Sequence, residues 1–149
     1  DAGVWNGEPV PHQNSAILQH APDVINFNGK GYQNIAFDIH PYDQWAKAGS
    51  QERIEARLAN YFDRVRAMGV PIVVGEFGSE NEGYDMMPVV RAMYETAVPR
   101  NIGRIVWSWY SGDNSDLTTT GNGGGHTINS CDNPTNLTEL GKKVWDDTH

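Results

Sequence analysis

Apolar runs alternate with amphipathic segments along the 149-residue chain, and this alternation restricts the fold more than any other feature of the sequence. The apolar runs are residues 32–40, 70–77 and 104–110, each short and rich in residues typical of β-strands. The segments between them, 50–69 and 85–98, carry apolar residues at helical spacing. This order predicts parallel strands joined by crossover helices.

The two intervening segments have the start and stop signals of helices. Ser50 is placed to cap the first helix, and Gly69 is placed to end it. Pro88 falls in the first turn of the second helix, where proline is tolerated. The residues expected to face the core are Ile54, Leu58, Tyr61, Phe62, Val65 and Met68 in the first helix, and Val89, Met93 and Ala97 in the second.

Further elements are predicted at both ends of the chain. Residues 1–5, DAGVW, are typical of the end of a strand, and residues 15–27 favour a short helix that Pro22 interrupts or restarts. A polar loop at 111–136 follows the last apolar run, and a short helix is predicted at 138–147. Four strand–helix units in one domain predict an α/β fold, either an open sheet or a (β/α)4 half of a TIM (β/α)8 barrel.

Composition and charge restrict the partners. A net charge of −8 and a pI near 4.9 argue against binding to nucleic acid or to an anionic membrane surface. No apolar stretch approaches the ~18 residues that span a bilayer. Neither a nucleotide-binding glycine fingerprint nor a zinc-type His/Cys cluster is present, so we predict no cofactor and no metal.

Three polar features in the last third of the chain are only weak evidence about function. Cys131 is the single cysteine, and is either a free thiol or half of a bridge to another chain. Asn136 begins a short glycosylation sequon. Asp113, Asn114 and Asp116 offer oxygen ligands suited to calcium, but their spacing does not match a 12-residue calcium loop, which favours a solvated loop.

Chemically useful side chains follow the predicted strands at matching ends. In parallel α/β folds, functional residues cluster just beyond the carboxyl ends of the strands. Each residue has a simpler explanation, since a glutamate in a loop is usually solvated and tryptophans on one strand face often fill a core. Their common placement instead favours a sugar site, because aromatic rings stack on sugar C–H faces. The candidates are Trp5, His40, Tyr42, Trp45, Glu76, Trp107 and Trp109.

Several of these motifs resemble those of glycoside hydrolase family 5. AFDIHPY, with His40 and Tyr42, resembles the sixth strand of that family's barrel. PIVVGEFG resembles the seventh strand, which ends in the nucleophile, here Glu76. IVWSWYSGDN resembles the eighth strand, whose first tryptophan, here Trp107, lies beneath the sugar at the cleavage point. DAGVW and NLTELGKKVW are similar to the end of the fifth strand and to the last helix of bacterial β-mannanases in this family.

The resemblance implies a secreted, retaining endo-hydrolase of plant-type β-1,4-linked polysaccharide, with mannan slightly favoured over cellulose. Glu76 would attack the anomeric carbon and form a glycosyl-enzyme intermediate. Tyr42 or His40 would hydrogen-bond the nucleophile and keep it ionised. Gly75 and Gly78 would let the backbone approach the substrate closely.

The second carboxyl group of such a mechanism is missing from the matched region. Retaining enzymes place an acid/base about 5–5.5 Å from the nucleophile, and the family carries it in an Asn-Glu-Pro motif that precedes the fifth strand. Glu8, in the sequence Asn-Gly-Glu-Pro, is the best internal candidate, although its position after the first strand favours coincidence. Glu80, Glu82 and Asp113 are weaker candidates because acids in loops are normally solvated.

The length agrees with an incomplete barrel, since a (β/α)8 barrel needs ~250 residues and at least ~200. Residues 1–149 are then the C-terminal half, corresponding to strands five to eight. Its partner would be an N-terminal half-barrel fragment or a second copy of the chain. The alternative function is a non-catalytic carbohydrate-binding half barrel that keeps the aromatic residues and lacks the acid/base.

Overall fold

The computed structural model describes residues 15–47, 49–110, 114–119 and 127–149. Within these ranges the helices are α1 (Ala16–Ile25), α2 (Asp43–Ala46), α3 (Gln51–Ala67), α4 (Met87–Ala97) and α5 (Glu139–Thr148). The strands are β1 (Phe37–Ile39), β2 (Ile72–Val74), β3 (Glu80–Asn81), β4 (Tyr84–Asp85) and β5 (Gly103–Arg104). Short 3-10 turns occur at Phe27–Gly29 and Val98–Arg100.

Three strands form a parallel sheet in the order β1-β2-β5. Phe37 is aligned with Ile72 and Ile39 with Val74 across the first pair, and Val74 is aligned with Arg104 across the second. Helix α3 connects β1 to β2, and helix α4 lies between β2 and β5 in the chain. The predicted alternation of parallel strands and crossover helices is therefore confirmed for this part of the chain.

The regular strands are shorter than the apolar runs from which they were predicted. The first two runs each contribute three residues to the ladder, and the third contributes only Arg104, which is preceded in β5 by Gly103. Beyond β5 the chain still follows β2, because Ile105 N–H donates to Val74 O at 2.8 Å and Trp107 N–H donates to Phe77 O at 2.7 Å. These irregular continuations carry the side chains of interest past the ends of the sheet.

A small hairpin, which the sequence did not predict, separates β2 from α4. Strands β3 and β4 pair antiparallel, with Glu80 opposite Asp85. The Asp85 carboxylate accepts a hydrogen bond from Met87 N–H at 2.9 Å, so Asp85 ends the hairpin instead of starting the helix. Helix α4 consequently begins two residues later than the predicted start at Asp85.

The core lies where α3 and α4 pack against each other and against the sheet. All three residues predicted to face inward on α4 are buried, as are five of the six predicted on α3; Met68, just beyond α3, is partly buried against the same cluster. Burial raises the pKa of the Tyr61 hydroxyl to about 12, which is the expected response of a phenol that loses its solvent. Among the described residues, no helix is both long and apolar enough to cross a bilayer.

Trp45 belongs to this core, which corrects the prediction that it contacts sugar. Its side chain is 0% exposed, and its ring meets Tyr61 edge-on with centroids 5.4 Å apart. The reason is the short helix α2, which follows β1 closely and packs against both α3 and α4. That turn directs the indole into the helix layer and away from the strand ends.

Large apolar side chains remain uncovered where the chain leaves β5. Ile105, Trp107, Trp109 and Tyr110 are all exposed, with Trp107 at 47% and Trp109 at 51%. Within the described residues, β1 and β5 are the outer strands of the sheet, and the strand predicted at residues 1–5 lies outside those residues. Clustered exposed aromatic residues usually mark a surface that meets another chain or a ligand.

Candidate active site

Glu76 lies just beyond the carboxyl end of β2 and is held by a residue that follows β1. Its Oε1 accepts a hydrogen bond from the Tyr42 hydroxyl at 2.9 Å. The Tyr42 ring is buried, whereas the Glu76 side chain is 27% exposed. A buried phenol therefore fixes the orientation of a carboxylate that is still open to a ligand.

His40 lies between Glu76 and a second carboxylate, that of Asp38. Its Nδ1 is 3.8 Å from Glu76 Oε2, and its Nε2 is 2.9 Å from Asp38 Oδ2. An ionised carboxylate only accepts hydrogen bonds, so Nε2 is the donor to Asp38. In the neutral ring this leaves Nδ1 unprotonated and turned toward Glu76. By taking one proton at Nδ1, the imidazole would place a positive charge beside Glu76.

Asp38 is a site residue that sequence reasoning missed. Its Oδ1 accepts a hydrogen bond from Gly75 N–H at 2.6 Å, across to the neighbouring strand. The available signal was spacing, because side chains two residues apart on an extended segment point to the same side, as those of Asp38 and His40 do.

The space that a side chain would occupy at the two glycines flanking Glu76 is filled by the chain's own atoms. A Cβ built on Gly75 would overlap the Asp38 carboxylate, lying 2.5 Å from its Cγ. A Cβ on Gly78 would lie 2.6 Å from Ser115 Oγ and 3.1 Å from Trp107 O. All three distances are shorter than van der Waals contact, so glycine is required at both positions for internal packing. That these glycines also let the backbone approach a substrate closely stays a prediction.

Trp107 lies at this edge and is exposed, whereas Trp109 lines an apolar cavity against α5 that also includes Val144 and Trp145. The hydrogen bond from Trp107 N–H to Phe77 O places Trp107 beside the residue that follows Glu76. The Trp107–Ser108 peptide bond is cis. The exposed Trp107 indole, next to the segment that carries Glu76, offers a surface suited to stacking on a sugar ring.

The other acid/base candidates in the described part of the chain, Glu80 and Glu82, are not placed beside Glu76. The Glu80 carboxylate accepts a hydrogen bond from Gly83 N–H and so stabilises the β3–β4 turn. Glu82 occupies that turn with a left-handed φ of 50°. Trp5, Glu8 and Asp113 lie outside the described residues.

In the loop considered as a calcium site, the described residues mainly contact other parts of the protein. Asn114 O accepts a hydrogen bond from Ser79 Oγ at 2.7 Å, and Asp116 is buried. Within the described residues, no group of three or more His, Cys, Asp or Glu side chains is placed to hold a metal ion.

The fold and the site together define a class of protein. A carboxylate held by a phenol and faced by an imidazole lies at the carboxyl edge of a parallel α/β sheet, next to exposed indoles. This is the edge at which parallel α/β enzymes carry their active sites.

Comparison with known proteins identifies the family. The family model for Cellulase (glycosyl hydrolase family 5) matches residues 3–113. This match covers most of the chain, which therefore belongs to glycosyl hydrolase family 5, as its strand motifs indicated.

Two curated relatives are mannan endo-1,4-beta-mannosidases. The protein from Streptomyces lividans is 32% identical over 116 residues, which are 75% of this chain and 25% of the relative. The protein from Cellvibrio japonicus is 26% identical over 120 residues, or 79% of this chain and 24% of the relative. The chain thus spans about a quarter of the length of these relatives.

Solved structures show the same fold. The catalytic domain of a mannanase from Streptomyces sp. SirexAA-E has a TM-score of 0.61 and 25% identity, covering 90% of this chain and 36% of that one. A β-mannanase from Streptomyces thermolilacinus has a TM-score of 0.63 and 23% identity, covering 94% of this chain and 40% of that one.

Proposed function

We propose that this chain carries the nucleophile of a retaining endo-β-1,4-mannanase. The observation that carries the proposal is the hydrogen bond between Tyr42 and Glu76, made at the carboxyl ends of adjacent parallel strands with His40 beside it. Family membership supports glycoside hydrolysis, and the two mannosidase relatives favour mannan over cellulose as the substrate.

In this mechanism the Glu76 carboxylate attacks the anomeric carbon while the bond from that carbon to the leaving oxygen breaks. The leaving oxygen takes its proton from the acid/base, and water then releases the sugar from Glu76 with that same residue acting as base. Tyr42 holds one oxygen of Glu76 throughout, which keeps the carboxylate aimed at the sugar. Trp107, which is exposed and follows the segment that carries Glu76, stacks on the polysaccharide.

The acid/base comes from outside the described residues. We propose that residues 1–149 are the C-terminal half of a (β/α)8 barrel and that an N-terminal half-barrel, or a second copy of the chain, completes it. Two observations support this: the exposed aromatic residues after β5, and the 36–40% of the mannanase structures that the chain covers. Because a polymeric substrate does not cross membranes, we also propose that the enzyme acts outside the cell.

Solution mass tests the completion of the barrel. Light scattering of the purified chain is expected to give a dimer, or a complex with an added N-terminal half-barrel, because the exposed aromatic rings after β5 are unfavourable in isolation. A folded monomer of 16.5 kDa with no affinity for such a fragment would contradict both forms of completion.

Covalent trapping tests the nucleophile separately from the acid/base. A 2-deoxy-2-fluoro-mannosyl fluoride carries a leaving group that departs without protonation, so it needs only the nucleophile. We expect an adduct on the peptide that contains Glu76, no adduct in Glu76→Gln, and a normal adduct in the control Glu95→Gln, which alters an exposed glutamate of α4. Full polysaccharide turnover by Glu76→Gln would refute the assignment.

The second candidate function is carbohydrate binding without catalysis. It is favoured by the exposed Trp107 and by the absence, among the described residues, of an acid/base candidate placed beside Glu76. Binding of mannan oligosaccharides with no trapped intermediate and no hydrolysis, by the completed barrel as well as by the chain, would establish this function in place of the first.

A further inference from the structure

We propose that Asp38 is a positioning residue for the site, which it serves by fixing the orientation and the protonated nitrogen of His40. The catalytic consequence rests on the proposed function, whereas the positioning itself does not. Asp38 uses its two carboxylate oxygens separately: Oδ1 accepts from Gly75 N–H at 2.6 Å, and Oδ2 accepts from His40 Nε2 at 2.9 Å.

The hydrogen bond to Gly75 anchors the Asp38 carboxylate to the neighbouring strand. Gly75 N–H also lies 3.2 Å from Ile39 O, so the shorter contact of this shared donor is the one to Asp38. The carboxylate occupies the volume that a Cβ at position 75 would take. Aspartate at 38 and glycine at 75 are therefore a matched pair, and the match holds the carboxylate in place under the imidazole.

The hydrogen bond to His40 determines which nitrogen carries the proton. Because Asp38 Oδ2 only accepts, the neutral ring keeps its hydrogen on Nε2, and Nδ1 is turned toward Glu76 Oε2 at 3.8 Å. Any second proton must then enter at Nδ1, on the side of Glu76.

Asparagine at position 38 is expected to reverse this arrangement. An amide offers one acceptor and one donor group in place of two acceptors. If its oxygen accepts from Gly75 N–H, its NH2 group faces His40 Nε2, which must then accept, so that the proton moves to Nδ1. The variant Asp38→Ala removes both acceptors and leaves neither tautomer favoured.

The direct test is the ¹⁵N spectrum of the histidine ring. We compare the wild-type chain with Asp38→Asn and Asp38→Ala, use Asp23→Asn on the exposed face of α1 as the control, and assign the His40 signals with His40→Gln. Under conditions where the ring is neutral, we expect Nε2–H in wild type and control, Nδ1–H in Asp38→Asn, and a mixture in Asp38→Ala. An unchanged His40 tautomer in both Asp38 variants would overturn the proposal.

Kinetics of the completed enzyme test the catalytic consequence. Loss of positioning is expected to lower kcat about 10-fold to 100-fold in Asp38→Asn with little change in KM, since the substitution acts through the orientation of His40. A tautomer change without any change in kcat would overturn the catalytic part of the proposal. If Glu76→Gln keeps full turnover while the tautomer changes as expected, the proposed function fails and the positioning of His40 by Asp38 stands.

Discussion

Tyr42 and Glu76 are 34 residues apart in the sequence, and the Tyr42 hydroxyl donates to Glu76 Oε1 over 2.9 Å. The contact joins the ends of two adjacent parallel strands, β1 and β2. It is also the contact through which a buried side chain controls the exposed carboxylate of the site.

Removing this hydroxyl is expected to lower turnover with little effect on stability. A hydrogen bond to a charged acceptor contributes about 1.5–3 kcal/mol, so Tyr42→Phe should lower kcat/KM about 10-fold to 100-fold. The phenylalanine ring keeps the buried packing, so the melting temperature should stay within a few degrees. Tyr84→Phe in the hairpin is the control, since Tyr84 is exposed. Equal kcat/KM in Tyr42→Phe and wild type would show that Glu76 does not need this contact.

Substitution of Gly75 is expected to destabilise the protein in a way that depends on Asp38. Gly75→Ala places a methyl group against the Asp38 carboxylate and should lower the free energy of unfolding by about 1–3 kcal/mol. Asp38→Ala removes the carboxylate atoms that the new methyl group would overlap. The double variant should therefore lose less free energy of unfolding than the sum of the losses in the two single variants.

Urea unfolding of the four proteins measures this coupling. Gly103→Ala is the control, because a Cβ there would meet only Val73 Cγ2 at an ordinary 3.4 Å. Strictly additive losses would mean that positions 38 and 75 are not a matched pair.

Truncation of Trp107 is expected to weaken sugar binding and leave stability nearly unchanged, because the side chain is 47% exposed. Loss of the stacking surface should reduce the affinity for a mannan oligosaccharide about tenfold or more in Trp107→Ala, with partial recovery in Trp107→Phe. Calorimetric titration of the Glu76→Gln background gives the affinity without hydrolysis. The matched control is Phe27→Ala, which removes another exposed aromatic ring; a similar loss in both variants would argue against a specific role for Trp107.

The ion pair of Asp63 with Arg100 is expected to make stability depend on pH in the acid range. Arg100 donates to both Asp63 oxygens, at 2.7 and 2.8 Å, and this hydrogen bonding lowers the pKa of Asp63 below its ordinary value. A carboxyl with a lowered folded-state pKa stabilises the fold above its unfolded pKa and loses that contribution as the pH falls through the folded pKa.

The contribution is small, about 1 kcal/mol or less, since the Asp63 side chain is 59% exposed. Urea unfolding at pH 7 and at pH values below about 4 should therefore show a smaller acid-induced loss in Asp63→Asn than in wild type. An identical pH dependence in the two proteins would mean that the ion pair adds nothing to stability.

Local patterns in the sequence were sufficient for the order β1, α3, β2, α4, β5 and for placing the candidate residues Glu76, His40 and Tyr42 at one edge of the sheet. Periodic apolar residues predict α3 and α4 because each helix must bury one face, and continuous apolar runs predict the strands. Glu76, His40 and Tyr42 follow those strands, and parallel strands bring their carboxyl ends to one edge. This reasoning also led to the family, since the motifs stand at the strand ends in the family's order.

The remaining features of the fold and of the site depend on contacts between segments that are distant in the sequence. Trp45 has the same sequence signal as the exposed tryptophans, yet α2 turns it into the core against Tyr61. Gly75 is a glycine because of Asp38, 37 residues earlier in the chain. Whether a side chain meets solvent, a ligand or another side chain depends on which segments pack together. The sequence by itself therefore determined the parallel α/β order, the family and the carboxylate at the strand end, and only the tertiary structure decided which neighbours hold that carboxylate and orient the histidine beside it.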